Sequence, residues 1–432
     1  MRVPIIWNTL SAQEKLNLLK RPVQKNISVR KKTETILNAV KKEGDKACQK
    51  FTQQFDGVLI KQFTINDREF KKACQKISRA AEQAIQCAAR QIMAFHKQQK
   101  LQNYTIATSS GIVCEMRALP IEKVGLYVPG GSAPLVSTVL MLGIPANIAN
   151  CPLPILCSPP RADGSIDPHI LIAAKYCGIK NIYKIGGAQA IAAMAYGTKI
   201  IPKVDKIFGP GNAWVTQAKM LVAQDVAGAF YDLPAGPSEL MIIADAKANA
   251  EFIAADLLSQ AEHGTDSQVI LLTTNVKKAN EVLIALKQQL SLLTRYSIAK
   301  KSLENSRIIV VNTIQQAIEL ANTYAPEHLI LQIVGAKKYL QQIKNAGSIF
   351  LGSWSPESAG DYASGTNHIL PTYGFAKTLS GLTVRDFMKT ISVQKLTKNG
   401  LQKISSSIIK LAEIEGLDAH ARAVKIRLEV KK

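Results

Sequence analysis

Between residues 124 and 351, short apolar runs alternate with stretches of helical periodicity, and this alternation constrains the fold more than any other feature. The runs at residues 124–128 and 154–157 are each followed by a helical pattern. Further strands are predicted at residues 181–185, 206–208, 240–244, 268–273, 307–311, 329–333 and 348–351. Repeated strand–helix units predict parallel sheets with helices on both faces.

A Pro- and Gly-rich loop at residues 233–238 divides these strands into two series. Two series in tandem predict an α/β fold with two Rossmann-like, doubly wound domains and a cleft between them. Before them, residues 29–55 and 67–100 have long amphipathic helical patterns, joined by a segment with strand character at residues 58–63. Residues 381–432 have helical patterns only, and such a tail usually packs either on the rest of its own chain or on another subunit.

The basic charge of the chain lies mainly at its two ends. The net charge is +22, and residues 1–100 hold 21 Lys and Arg against 8 Asp and Glu. Residues 375–432 hold 12 against 5, whereas residues 101–374 hold 21 against 19. Such a charge can indicate an anionic partner, but no nucleic-acid motif with interleaved aromatic residues accompanies it. We therefore interpret the charge as solvated helix faces and expect no nucleic-acid partner.

The cysteines indicate a reducing compartment. The chain has seven of them, an odd number, without a C-x-x-C pair, and all lie in the first 177 residues. This usage is typical of reduced thiols in a cytoplasmic protein, and no neighbouring residue singles one out as a nucleophile. The uncharged residues 125–160 contain seven prolines, which exclude a continuous membrane helix. No secretory signal is recognisable in the first ten residues, and we expect no membrane partner.

One half of a metal site is recognisable at residues 257–264, which read L-L-S-Q-A-E-H-G. They close a helical pattern, and Gly264 is a stop signal. Gln260 and His263 are three residues apart and share one helix face. An amide oxygen and an imidazole are only half of a zinc centre, which usually takes three or four protein ligands. The alternative is a solvated glutamine and a histidine that caps the helix end.

Two other segments carry residues suited to catalysis. In Y-A-P-E-H-L, Glu327 and His328 stand together at the start of a predicted strand. They could form an acid/base pair, although a strand-edge histidine with a solvated glutamate is the alternative. The long irregular segment 352–374 contains Asp361, a possible oxygen ligand, and loops of this length are usually functional. The tail adds Glu415 and His420.

A candidate phosphate-binding turn lies at residues 209–212, which read G-P-G-N between a predicted strand and a predicted helix. This is the right place for a pyrophosphate on a helix N-terminus. The dinucleotide fingerprint is incomplete, because Trp214 stands where its third glycine belongs. Glycine pairs at residues 130–131 and 186–187 also follow strands, but many such turns carry glycine for geometry alone.

Seven longer motifs follow one another along the chain. They are Y-V-P-G-G-S-A-P-L-V-S-T-V-L-M, G-G-A-Q-A-I-A-A, K-V-D-K-I-F-G-P-G-N, L-P-A-G-P-S-E, D-L-L-S-Q-A-E-H-G, Y-A-P-E-H-L and S-P-E-S-A-G-D-Y-A-S-G-T-N-H. Together they closely resemble the histidinol dehydrogenase family, from about residue 5 to the end of the chain. The differences from that pattern are extra residues around 161–168, where we expect a surface loop, and the high basicity.

The resemblance implies a role for each matching position. It implies zinc ligation by Gln260, His263, Asp361 and His420. It implies that Glu327 and His328 are the acid/base pair. The implied substrate contacts are Ser238, Gln260, His263, His328, Asp361, Glu415 and His420. The implied NAD contacts are Tyr127, Gln189 and Asn212.

The resemblance also implies the reaction and the assembly. The family oxidises L-histidinol via L-histidinaldehyde to L-histidine, with two NAD⁺ and one zinc ion per subunit. It forms a homodimer whose C-terminal tail crosses to the other subunit. We expect an N-terminal arm over residues 1–22, a zinc and substrate domain from residues 23–115 plus 238–380, an NAD-contacting domain over residues 116–237, and the tail, 381–432.

Three other functions are alternatives to the oxidation of histidinol. A relative on the same scaffold could oxidise another small alcohol such as a sulfonated diol, but Glu415 would repel a sulfonate and suits a cationic substrate. A hydrolytic metalloenzyme lacks support because no H-E-x-x-H motif is present. A basic binding protein without enzymatic activity is the last alternative, and a salt-insensitive activity with histidinol and NAD would exclude it.

Overall fold

The computed structural model describes residues 3–22, 27–130, 134–234 and 236–429. Its strands are β1 (Ile5–Ile6), β2 (Tyr104–Ser109), β3 (Ile112–Pro120), β4 (Lys123–Tyr127), β5 (Leu153–Ser158), β6 (Asn181–Lys184), β7 (Lys206–Phe208), β8 (Phe230–Tyr231), β9 (Glu239–Ala244), β10 (Gln268–Thr273), β11 (Arg307–Val310), β12 (His328–Gln332), β13 (Ser348–Leu351) and β14 (Met388–Leu396). Gly131, in one predicted glycine turn, lies outside the described residues.

The helices connect these strands or flank them. They are α1 (Ala12–Leu18), α2 (Ile27–Glu43), α3 (Asp45–Asp56), α4 (Asp67–Lys76), α5 (Arg79–His96), α6 (Val136–Ile148), α7 (Pro168–Tyr176), α8 (Gly187–Tyr196), α9 (Ala213–Gln224), α10 (Ala250–Ala261), α11 (Val276–Leu290), α12 (Tyr296–Glu304), α13 (Ile314–Tyr324), α14 (Glu357–Tyr362), α15 (Lys398–Ile414) and α16 (Asp418–Glu429). The helix predicted near residues 337–343 is a 3₁₀ segment, Ala336–Gln342.

Two parallel sheets form the centre of the fold, which confirms the predicted α/β class. The larger sheet has six strands in the order β1-β11-β10-β9-β12-β13, and the smaller has five in the order β6-β5-β4-β7-β8. Every pairing within them is parallel. Strands β9, β10 and β12 are buried along their whole length because helices cover both faces, which is why their sequences are continuous apolar runs.

A third sheet corrects the prediction that the tail is helical only. Strand β14 pairs antiparallel with β3, and β3 pairs with β2, in a three-stranded sheet. Most of β14 is exposed, and Ile391 and Val393 point to one side of the strand by their period of two. The rest of the tail, helices α15 and α16, agrees with the prediction.

The N-terminal helical segment differs from the prediction in two ways. Each long helical pattern is two helices, because Gly44 has a left-handed φ of 59° and Ser78 caps a new helix by accepting a hydrogen bond from Ala81. Residues 58–63 form no strand, and only Thr64 makes a single bridge, to Tyr183.

The apolar faces of α2 to α5 pack on the five-stranded sheet. Helices α2 and α3 share a core with α8 and α9 on one face, and α5 shares a core with α6 and α7 on the other. The expected grouping of residues 23–115 with residues 238–380 stays a prediction, as does the rest of the division into domains. Among the described residues, no helix combines the length and the apolar character that crossing a membrane requires.

Candidate active site

A cavity of about 1120 Å³ lies between the two parallel sheets. One side is formed by residues at the ends of β4 and β7, and the other by residues at the starts of β9 and β12. The carboxyl edge of the five-stranded sheet therefore faces the amino edge of the six-stranded sheet. The sequence-predicted site residues that line the cavity are Tyr127, Gln189, Asn212, Ser238, Gln260, His263, Glu327, His328 and Asp361.

Helix α10 delivers Gln260 and His263 to this cavity. The helix begins at the Asn249 cap and ends at Ala261, so His263 follows it directly. The Gln260 side chain is fully buried, and its Oε1 atom accepts no hydrogen bond from the described residues. Burial lowers the pKa of His263, although Asp361 opposes the shift, so the imidazole is mainly neutral near pH 7. A bare amide oxygen and a neutral imidazole are both suited to a metal ion.

His328 is the first residue of β12 and Glu327 directly precedes it, and two residues separate Glu327 from the end of helix α13. Glu327 Oε2 accepts a hydrogen bond from the Glu239 amide at 2.8 Å and lies 3.6 Å from His328 Nδ1. His328 Nδ1 is also 3.2 Å from the Glu239 carbonyl oxygen. Burial raises the pKa of Glu327, and the charge of His328 only partly offsets this. Burial lowers the pKa of His328, but the carboxylates of Glu327 and Asp361 outweigh it and hold it well above its usual value.

Asp361 lies on α14, on the other side of His328. Its Oδ1 atom is 3.6 Å from His328 Nε2. Burial raises the pKa of Asp361, but the neighbouring histidines outweigh it and lower the pKa to about 2. His368 fixes the backbone here, since its Nδ1 lies 2.9 Å from the Asp361 carbonyl oxygen and its Nε2 lies 3.2 Å from Thr138 Oγ1 on α6. Asp361 is therefore an ionised, firmly held oxygen donor.

Sequence reasoning missed Glu357, which forms a second possible metal cluster with His328 and Asp361. The ligand atoms of these three residues lie within 4.8 Å of one another. The signal was available, because Glu357 is four residues before Asp361 and so shares its helix face. Glu357 Oε2 accepts a hydrogen bond from Ser259 at 2.6 Å, and burial raises its pKa to about 8. A carboxyl that is mainly protonated at neutral pH is a weaker metal donor than Asp361.

The opposite side of the cavity contains the residues expected to contact NAD. Asn212 Oδ1 caps α9 by accepting hydrogen bonds from the amides of Trp214 and Val215, both at 3.1 Å. Gly187 donates its amide hydrogen to the Tyr127 hydroxyl at 3.0 Å. Gln189 is buried, and its Oε1 atom has no partner among the described residues.

The turn after β7 brings the backbone unusually close to β4. Gly209 has a φ of 125°, and a Cβ atom there would lie 2.1 Å from the Tyr127 carbonyl oxygen. Only glycine fits this approach. The turn places the N-terminus of α9, the positive end of the helix dipole, at the cavity, and this end of a helix suits an anion.

The structure does not bring Glu415 and His420 to the cavity. Glu415 caps the end of α15, His420 lies on α16, and both side chains are exposed. Neither lines the cavity. Within one chain, the predicted zinc donors that meet are therefore Gln260, His263 and Asp361.

No cysteine lines the cavity. Burial raises the pKa of Cys48 and of Cys151 to about 12. It also raises the pKa of Cys157 and Cys177. Buried thiols with raised pKa values are poor nucleophiles.

Known proteins are similar to this chain over almost its whole length. A family described as "Histidinol dehydrogenase" matches residues 19–428. A histidinol dehydrogenase from Vibrio parahaemolyticus is 50% identical, over 98% of this chain and 98% of its own length. A histidinol dehydrogenase from Yersinia pestis is 51% identical, over 98% of this chain and 95% of its own length. A crystal structure of histidinol dehydrogenase from Elizabethkingia anophelis has a TM-score of 0.95 and 50% identity, covering 99% of this chain and 98% of its own. The chain belongs to the histidinol dehydrogenase family.

Proposed function

We propose that the chain oxidises L-histidinol through L-histidinaldehyde to L-histidine, with two molecules of NAD⁺ and one zinc ion per subunit. The observation that carries this proposal is the meeting of metal donors and an acid/base pair in one cavity. Gln260, His263 and Asp361 are the donors, and Glu327 and His328 lie beside them. The family match over residues 19–428 and a relative that is 50% identical over 98% of the chain support the same reaction.

The donor set fits a zinc ion. Gln260 presents a buried oxygen without a hydrogen-bond donor among the described residues, His263 a mainly neutral imidazole, and Asp361 an ionised carboxylate. Zinc accepts oxygen and nitrogen donors of these kinds and leaves a position for substrate in catalytic sites. When bound, it would supply a template for the imidazole and amine nitrogens of an amino alcohol. His420 is the proposed fourth donor.

His328 is the proposed acceptor of the alcohol proton. Its Nδ1 atom faces the Glu239 carbonyl oxygen, which can only accept, so Nδ1 carries a hydrogen and Nε2 remains for proton transfer. The two flanking carboxylates favour the protonated ring. A metal cation beside Asp361 would lower the pKa of His328, because a positive charge disfavours a second positive charge nearby. The bound metal would therefore bring His328 into the range of a base.

Glu327 is the proposed base for the second oxidation, in which the aldehyde must take up water. Burial raises the pKa of Glu327, and a carboxylate with a raised pKa is a better proton acceptor. NAD⁺, when bound, supplies the hydride acceptor for both oxidations. Tyr127, Gln189 and Asn212 are its proposed contacts, and Ser238 is a proposed contact of the substrate.

A homodimer is part of the proposal, because two proposed site residues are remote from the cavity of their own chain. Glu415 and His420 lie on exposed tail helices. The third sheet and the tail also expose apolar side chains that a second copy could cover: Tyr104, Ile106, Ile391, Val393, Leu411, Ile414 and Ile426. A second copy would then complete the metal site with His420 and place Glu415 near the cationic substrate.

The compartment we propose is the cytoplasm. All seven cysteines are free in the described structure. Free thiols in this number are typical of a reducing compartment.

The test is NADH formation from L-histidinol, measured before and after removal of metal by a chelator. We expect activity to disappear with the metal and to return with Zn²⁺. Activity should persist at high salt, which separates an enzyme from a basic binding protein. Full turnover by protein shown to be metal-free by elemental analysis would contradict the role of zinc.

A further inference from the structure

Glu239 connects both members of the acid/base pair to one point of the backbone. Its amide donates to Glu327 Oε2 at 2.8 Å, and its carbonyl oxygen lies 3.2 Å from His328 Nδ1. Glu239 is the first residue of β9, the strand beside β12. A shift of this single residue would therefore move the hydrogen-bond partners of both catalytic side chains.

The position of Glu239 depends on its own buried carboxylate. The side chain is only 3% exposed. Its Oε1 atom accepts hydrogen bonds from Arg21 Nε at 2.5 Å and from the Tyr373 amide at 2.9 Å, and its Oε2 accepts from Arg21 Nη2 at 2.9 Å. Arg21 therefore binds both oxygens of the Glu239 carboxylate, which fixes the orientation of the carboxylate and stabilises its negative charge.

The same guanidinium holds the backbone that leads to Glu327 and His328. Arg21 Nη2 donates to the carbonyl oxygens of Tyr324 at 2.7 Å and Ala325 at 3.2 Å, at the end of α13. The guanidinium also stacks over the Tyr324 ring, 3.8 Å from its centre. Ala325 has a left-handed φ of 54°, a conformation that needs support from its surroundings in a residue other than glycine.

We propose that Arg21, in the N-terminal arm, is a positioning residue that aligns Glu327 and His328 through Glu239 and through the end of α13. Arg21 does not line the cavity and touches neither catalytic side chain in the contacts described above. It acts on the pair from two sides, through strand β9 and through the approach to strand β12. The inference rests on the proposed function, because its test measures turnover.

Arg21→Lys is the most informative variant. A lysine keeps the positive charge, but a single ammonium cannot reproduce the planar fork that binds one carboxylate and two carbonyl groups. We expect kcat to fall about 10- to 100-fold, as for a misplacement of about 1 Å. The KM values for L-histidinol and NAD⁺ should stay within about threefold, because binding contacts are retained. Single-turnover rates from L-histidinol and from L-histidinaldehyde should fall together, since both catalytic residues are affected.

A second comparison separates positioning from stability. Arg21→Met leaves the Glu239 carboxylate buried without its counter-charge, so its urea midpoint should fall. The double variant Arg21→Met/Glu239→Gln removes both charges, and we expect it to recover the midpoint without recovering kcat. Arg30→Met is the matched control, because Arg30 pairs with Glu34 on the exposed surface of α2 and should change neither quantity.

The outcomes distinguish the two proposals. Wild-type protein that forms no NADH from L-histidinol would contradict the proposed function. With active wild-type protein, a folded Arg21→Lys variant whose kcat is within about twofold of wild type would overturn the positioning role. A double variant that recovers kcat together with its urea midpoint would also overturn it, since Arg21 would then only compensate a charge.

Discussion

The hydrogen bond from His328 to the Glu239 carbonyl assigns different tasks to the two imidazole nitrogens. Because a carbonyl only accepts, Nδ1 holds a proton, and Nε2 faces Asp361 at 3.6 Å. Glu327 is the acceptor in its own contact, since its Oε2 atom accepts a hydrogen bond from the Glu239 amide. The two side chains bond to different backbone groups of the same residue, Glu327 to the amide of Glu239 and His328 to its carbonyl oxygen, which suits them to different proton transfers.

We predict that His328 acts in both oxidations and that Glu327 acts mainly in the second. His328→Asn should slow the alcohol and aldehyde steps alike, because it removes the proton acceptor of each. Glu327→Gln should mainly slow oxidation of the aldehyde, where water must be activated. Losses of about 10²–10⁴-fold are typical of such groups. Single-turnover NADH formation from each substrate measures this, and a Glu327→Gln variant equally slow in both steps would show that the pair acts as one unit.

A second residue-scale prediction concerns the pH dependence of stability. Asp256 on α10 is buried, its Oδ2 accepts from Gln332 Nε2 at 3.1 Å, and burial raises its pKa to about 6 from 3.8. The folded protein therefore binds this proton more tightly than the unfolded chain does. The stabilisation is full below about pH 4 and is lost as the pH rises through about 6.

Asp256→Asn should remove this dependence, because an amide does not titrate. Relative to wild type, the variant should gain about 2 kcal/mol in free energy of unfolding between pH 4.5 and pH 7.5. Urea unfolding at the two pH values measures the difference. Glu319→Gln, on the exposed face of α13, is the control. A pH-independent difference between Asp256→Asn and wild type would show that this carboxyl is already ionised at low pH.

At the scale of elements, one buried ion pair joins helix α9 to the turn after β7. Lys219 is 1% exposed, pairs with Asp232 Oδ1 and donates to the Gly209 carbonyl oxygen at 2.8 Å. Asp232 Oδ2 accepts from the Gly209 amide at 2.7 Å. Both backbone groups of Gly209 are thus held by this pair, at the turn where NAD is expected to bind.

Lys219→Met should destabilise the protein by about 3–5 kcal/mol, because it leaves a buried carboxylate without its partner. It should also raise the KM for NAD⁺ more than the KM for L-histidinol. Lys41→Met is the matched control, since Lys41 pairs with Asp225 near the end of the same helix but is half exposed, and should cost less than about 1 kcal/mol. Denaturant unfolding and steady-state kinetics measure both effects. An equal loss in the two variants would mean that the buried pair has no special role.

The elements that the sequence predicted well are those whose burial leaves a local signal. Strands β9, β10 and β12 are apolar throughout because both of their faces are covered. Strand β14 was missed because most of it is exposed and its pairing partner is far away in sequence, with Met388 opposite Pro120. The contact of Arg21 with Glu239 was invisible for the same reason, since 218 residues separate them.

At the scale of the whole molecule, each of the two parallel sheets forms one wall of the cavity. The five-stranded sheet presents the ends of β4 and β7, and the six-stranded sheet presents the starts of β9 and β12. The segment after Asp361 joins the halves, because Asn367 Nδ2 donates to the Met141 carbonyl oxygen at 2.8 Å and His368 contacts Thr138 on the same helix. One chain therefore provides both walls of the cavity, while the proposed site residues Glu415 and His420 are remote from it.

The remote position of His420 makes the shared site directly testable. We call residues 1–380 of a subunit its body. If the tail of one subunit completes the cavity of the other, a variant with a metal donor lost from the body and a variant with one lost from the tail can complement each other. The body variant is His263→Asn, and the tail variant is His420→Asn. In a mixed dimer, the normal body of one subunit meets the normal tail of the other, so one of two sites is intact.

We predict that each variant alone is inactive and that refolding the two together restores about a quarter of wild-type activity, since half of the dimers are mixed and each has one intact site. Different affinity tags on the two chains show that mixed dimers have formed. A mixture of His263→Asn with Asp361→Asn should recover nothing, because both defects lie in the body and every site then contains one of them. Mixed dimers of the first pair that stay inactive would mean that each tail folds back onto its own chain, because in that case every cavity keeps a defective ligand from its own subunit.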